Sequence, residues 1–234
     1  MRKIPACLLM SAWFMIVAGC ASSRPATLIS MTCQSLRMAS ANQTERVVFP
    51  SGGYSIQPPQ GDHWCVGASG PRGATFMSHP LFGKLLDKRP SEAEIRHSIG
   101  LLVVADEVPR DSRIETEADM IAFIEQRFLG TRPGSRFTLV ESKFVTDSSL
   151  GAECIRFDAI VEERDNPDAR GLVLIGVLRD NFLCRHPQVR TPTLVIISTS
   201  ERYVQGTIAT PLLIDSLRSE WEPSVRSLQF IPIQ

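Results

Sequence analysis

The chain is poor in the residues that most often perform chemistry. Its four histidines, His63, His79, His97 and His186, never stand at ligand spacing, so no metal site is expected. There is no Gly-x-Ser-x-Gly elbow, no His-Glu-x-x-His, no Cys-x-x-Cys and no P-loop. That removes the common signatures of hydrolases, zinc proteases, thiol oxidoreductases and nucleotide-binding proteins. Neither sign of charge prevails, with 25 Lys and Arg against 25 Asp and Glu, so nothing draws the chain electrostatically to nucleic acid. Beyond residue 17 no apolar run approaches the ~20 residues that cross a bilayer. No catalytic residue and no cofactor are therefore expected. A hydrophobic content of 43% nonetheless supplies a core and argues against disorder.

What is present begins at the first residue. Arg2 and Lys3 precede an apolar run from Ile4 to Val17, followed by Ala18-Gly19-Cys20. This is the charged, apolar and small-residue order of an export signal, too short to remain as a membrane helix. The Val17-Ala18-Gly19-Cys20 ending resembles the lipobox of bacterial lipoproteins. The resemblance implies cleavage before Cys20 and acylation of its sulfur and new amine. Each buried CH₂ adds roughly 0.8 kcal/mol, and two or three chains anchor where one would not. Ala21 and Ser22 follow, with no Asp of the kind that retains lipoproteins in the inner membrane, which by resemblance implies the outer membrane, facing the periplasm.

Residues 1–19 then form the signal, residues 20–46 a Ser, Thr, Ala and Gln-rich tether, and residues 47–234 a single domain. With Cys7 removed and Cys20 lipidated, Cys33, Cys65, Cys154 and Cys184 remain in an oxidising compartment where pairing is expected.

Along the domain, Tyr54–Gln57 and His63–Val66 alternate as short strands, residues 67–73 read as a Gly/Ser/Pro loop, and Ala74–Ser78 is extended. Leu81–Lys88 has the spacing of a helical turn or two, and Ser98–Ala105 is a buried strand on its β-branched content. Thr116–Leu129 is a capped helix: Met120, Ile121, Ile124 and Phe128 fall on one face, and Glu117 and Asp119 sit where the helix dipole favours them. From Phe137 the period becomes two. Phe137–Thr146, Ala152–Glu163, Leu172–Phe182 and Thr193–Ser200 read as strands joined by connections too short for parallel crossovers. In the hairpin closed by residues 165–170, Cys154 and Cys184 come within a residue or two of register, which favours their pairing and leaves Cys33 with Cys65. Thr210-Pro211 opens a terminal helix that Pro223 is expected to kink or divide.

Strands, a helix, four antiparallel strands and a closing helix make an α+β domain, an antiparallel sheet covered by helices. Its opening Tyr54-Ser55-Ile56-Gln57-Pro58-Pro59 with Trp64, and its closing Leu217 and Ser227-Leu228-Gln229-Phe230, resemble the PsbP-like family. So does the Cys184-Arg185-His186-Pro187 loop. The resemblance implies an α/β/α sandwich and carries no activity, because sites rather than folds determine function.

The charge run Glu162-Glu163-Arg164-Asp165 reads as a solvated hairpin tip. Arg185 and His186, beside a disulfide and ahead of Pro187, form the candidate binding loop, able in principle to grip an anion. The expected function is a lipid-anchored, non-catalytic module that binds an envelope protein. The alternative is a periplasmic hydrolase or small-ligand-binding protein with its site near that loop.

Overall fold

The computed structural model describes residues 45–61, 64–78, 98–108, 114–130, 134–166, 171–188, 193–207 and 212–233. The expectations for Cys20, Cys33, residues 81–88 and Thr210-Pro211 lie outside these residues, as does the Cys65 side chain.

The strands are β1 (Val47–Phe49), β2 (Tyr54–Ile56), β3 (Trp64–Gly70), β4 (Gly73–Ser78), β5 (Ser98–Glu107), β6 (Phe137–Asp147), β7 (Cys154–Glu163), β8 (Leu174–Arg185), β9 (Thr193–Val204) and β10 (Gln229–Phe230). The helices are α1 (Glu117–Phe123), which widens into π-helical turns over Ile124–Phe128, α2 (Leu213–Ser216) and α3 (Arg218–Arg226). Seven strands form one antiparallel sheet in the order β3-β4-β5-β9-β8-β7-β6, and β1-β2-β10 form a small second sheet. The expected α+β class is the one observed.

Alternation along the central strands produces two cores. Leu101 and Val103 of β5, Val195 and Ile197 of β9 and Val177 of β8 face Tyr54, Trp221 and Val225 from the small sheet and the C-terminal helices. Leu194 and Ile196 of β9, with Ile155 and Phe157 of β7, face Met120 and Ile124 of α1. Period-two patterning thus sends each strand's alternate residues to opposite layers, and both layers are helix-bearing.

Polar groups fasten these layers. The Tyr54 hydroxyl donates within the core to the Arg72 and Val103 carbonyls, at 2.8 and 3.1 Å, and burial pushes its phenol well above the usual range. Trp221 Nε1 donates to the Ile214 carbonyl at 2.7 Å, and the buried Glu201 carboxylate accepts from the Ile214 N–H at 2.8 Å. β9 therefore holds the start of α2 directly. On α1, Thr116 Oγ1 accepts from the Asp119 N–H while the Asp119 carboxylate accepts from the Thr116 N–H, a reciprocal cap.

Cys154 and Cys184 are direct cross-strand partners and form a disulfide with Cα atoms 4.0 Å apart. Two local expectations are corrected. Residues 67–70 are strand rather than loop: β3 runs through Gly70 with a register shift between Val66 and Ser69, and Pro71 and Arg72 make the turn. A bulge absorbs the Gly/Ser composition that reads as loop in sequence. Pro223 lies inside α3, and the helix break falls earlier, at Leu217. Ser219, whose carbonyl the missing Pro223 N–H leaves without its i−4 donor, is exposed, so the lost bond falls on the solvent side of the helix rather than in the core.

Two outcomes are expected. Replacing Cys154 and Cys184 together by Ala opens a cross-link spanning 30 positions and should cost about 2–4 kcal/mol in urea unfolding. Thr116→Ala should cost about 1 kcal/mol at neutral pH. The Thr116 N–H bond, then the Thr116 hydroxyl, hold the Asp119 carboxyl below its ordinary value. A depressed carboxyl stabilises the fold above its unfolded value, about 3.9, and loses that contribution as pH falls further. The gap between wild type and variant should narrow below about pH 4; a constant gap down to pH 2 would count against the reciprocal cap.

Candidate functional site

α1 covers only part of its sheet face. Under the helix lie large side chains, Leu194, Ile196, Phe157 and Leu183. Farther along the same face the rows become small. Met77, Gly100, Ser200 and Leu178 are successive partners across β4, β5, β9 and β8, and Ser98, Arg202, Gly176 and Val161 form the next row across β5, β9, β8 and β7. Where glycine and serine replace branched residues, the space above the sheet stays open. A cavity of about 90 Å³ lies there, overhung by Arg127 and Phe128 at the end of α1 and by Phe137 at the start of β6.

At one side of the cavity sits a carboxylate. Glu163 is 3% exposed, although it ends a strand at a hairpin. Arg136 Nε lies 2.9 Å and Asn166 Nδ2 2.8 Å from its Oε1, and an Arg202 terminal nitrogen lies 2.7 Å from Oε2. The Arg164 N–H also donates to the Arg136 carbonyl at 2.9 Å, closing the tip of β7 onto the start of β6. Burying a carboxylate demands this saturation, because a lone buried charge is far costlier than a paired one. The solvated-tip reading of Glu162–Asp165 is thereby corrected for Glu163, while Arg164 and Asp165 remain exposed.

Arg127, at the other side, is exposed. It acts on Asp106 of β5, whose carboxyl is raised by burial while Arg127 and Arg72 pull it down. The cavity wall is thus mainly apolar, with hydroxyls from Thr75, Ser98, Ser198 and Ser200 and a guanidinium at each side.

The candidate loop from sequence lies at the opposite end of β8. Arg185 is nine positions from Gly176, roughly 25–30 Å along a strand. Its guanidinium is 2.9 Å from Glu153 and donates to the Ile114 carbonyl at 3.1 Å. His186 is 4% exposed. Its Nδ1 accepts from the Gln188 N–H at 3.1 Å, which assigns the ring proton to Nε2, and Nε2 donates to the Gly53 carbonyl at 2.8 Å. Phe230 meets the ring edge-on at 5.2 Å. Gly53 has φ of +71°, and a Cβ there would stand 2.4 Å from His186 Nε2, so glycine is required twice over. Arg185 and His186 are occupied with protein groups, and both brace the disulfide end of the sheet. Among the described residues no group of three or more His, Cys, Asp or Glu is arranged to hold a metal ion.

The charged cluster escapes sequence reasoning because Arg136 just before β6, Glu163 on β7 and Arg202 on β9 come from three distant parts of the chain. The one local signal is small residues, Gly100 and Gly176, each near the start of a strand rich in Leu, Val and Ile.

No family model matches the chain, and a search of curated proteins finds no match. Among solved structures, the cyanobacterial PsbP (CyanoP) of Synechocystis sp. PCC 6803 is similar at 15% identity and a TM-score of 0.38, covering 80% of this chain and 91% of its own. PA94 of Pseudomonas aeruginosa, a protein of unknown function, is similar at 12% identity and a TM-score of 0.34, covering 73% and 99%.

Glu163→Gln should remove the charge that balances Arg136 and Arg202. The expected cost is about 2–4 kcal/mol by urea unfolding, less than for a wholly buried pair because Arg136 is 30% exposed. A loss under half a kcal/mol would mean the cluster is a solvent-screened surface group after all.

Proposed function

We propose that the chain is a lipoprotein of the bacterial cell envelope, held at the outer membrane by acyl chains on Cys20. Its domain is a non-catalytic module that binds or assembles with another envelope component. The observation that carries the non-catalytic part is the state of Glu163. Its carboxylate accepts from Asn166 and faces Arg136 and Arg202 at hydrogen-bonding distance, so both oxygens are engaged with the protein's own side chains. His186, the described histidine, is likewise committed to main-chain groups through both ring nitrogens. Side chains engaged in this way brace the fold, which supports a role in binding over one in catalysis.

The alternative, a small-ligand-binding protein, draws support from the cavity. In that reading the site is the hollow beside Glu163 and Arg202, not the Arg185-His186 loop.

Cys20→Ser should shift the exported protein from the membrane to the soluble periplasmic fraction, and the wild type should release a diacylglyceryl-modified Cys20 peptide on mass analysis. Unchanged fractionation of the variant would remove the anchor from the account. Photocrosslinking in intact cells from position 127 should then trap one discrete envelope partner, where position 226, on the opposite sheet face, serves as control.

A further inference from the structure

The hollow over the small-residue rows has a definite size, a definite wall and a charged mouth. We propose that it binds a short aliphatic carboxylate, tail inward and carboxylate at the rim; this identifies a ligand class for the binding domain described above and rests on that reading.

The tail follows from the wall. Met77, Leu102, Phe128 and Val161 present apolar surface on several sides, and a space of about 90 Å³ is smaller than the ~150 Å³ apolar cavity that accepts benzene. A space of that size suits the tail of a short aliphatic chain. An aromatic ring is too large for it.

The head follows from the charges. Arg202 and Arg127 line the space, and Glu163, which also lines it, already faces the Arg136 and Arg202 guanidinium groups. The exposed Arg127 at the mouth favours a carboxylate over an ammonium, and charge-assisted bonds to such a group are the strong ones. The serine and threonine hydroxyls in the wall add donors for a second carboxylate oxygen.

Room is provided by a missing side chain. An ideal Cβ on Gly100 would meet only the Phe76 carbonyl oxygen, at 3.6 Å, and Gly100 itself lines the cavity. A larger residue at 100 therefore grows into the hollow without striking the sheet, and the natural glycine keeps the hollow open.

The test is calorimetric titration of propanoate, butanoate, pentanoate, hexanoate and octanoate into the full chain in lipid nanodiscs, with empty nanodiscs as reference. Affinity should rise about fourfold per methylene and then level off once the space is full. Hexanoate should bind at least about tenfold more tightly than hexanol or hexylamine. Gly100→Leu should abolish binding while leaving the unfolding midpoint unchanged. Should Gly100→Leu not fold, Ser200→Leu fills the same space from β9. Arg127→Gln should erase the preference of hexanoate over hexanol and keep the chain-length dependence. Equal binding of hexanol, retained binding in both filled variants, or no binding of any acid overturns the proposal. If Cys20→Ser leaves fractionation unchanged, the tethered reading falls alone, and the same titration in plain buffer still decides the cavity.

Discussion

Everything in this domain depends on the register of β9. It lies inside the sheet, paired with β5 on one side and β8 on the other, and its two faces do different work. Glu201 points to the C-terminal helices and takes the Ile214 N–H; Arg202, one residue on, points the other way to Glu163. Because the side-chain period is two, a slip by one residue exchanges these neighbours and puts each charge in the wrong layer. Register here is specified by apolar cross-strand partners, Val103 with Ile197 and both Val104 and Leu183 with Ile196, and by the oppositely directed Glu201 and Arg202.

The sheet consequently has two unlike ends. At one, the Cys154–Cys184 disulfide, the Arg185–Glu153 pair and the His186 contacts tie β7 and β8 to the Gly53 turn and the C-terminal segment. At the other, the Glu163 cluster closes a hairpin around an open space. Stiffness at the first end and a rimmed hollow at the second are consistent with a domain that presents a surface rather than moves. Along the outer edge, β6 carries exposed Glu141 and Lys143 and a register shift beside Leu139, features that discourage pairing with a foreign strand.

How far the amino acids disclose this varies with distance along the chain. The capped helix at Thr116 and the four strands from Phe137 are legible because their signals are local: an apolar period and turn residues between. The Cys154–Cys184 pairing is legible for the same reason, since a short hairpin loop sets the register of β7 against β8. Glu163 is illegible because its charged partners, Arg136 ahead of β6 and Arg202 on β9, are distant in sequence, so a run of four charged residues looks solvated until tertiary pairing surrounds one of them. Pro223 misleads in the opposite sense: its local rule is right, but the lost bond falls on the exposed face of the helix.

The placement of β9 also governs when the sheet can close. β5 ends at Glu107 and its neighbour begins at Thr193, so nearly the whole chain must be synthesised before this pairing forms. Contacts this non-local slow folding, and until they form the apolar β5 retains an unsatisfied edge. Closure of the sheet is therefore a late step, and the strands made first must wait for β9 before the domain is sealed.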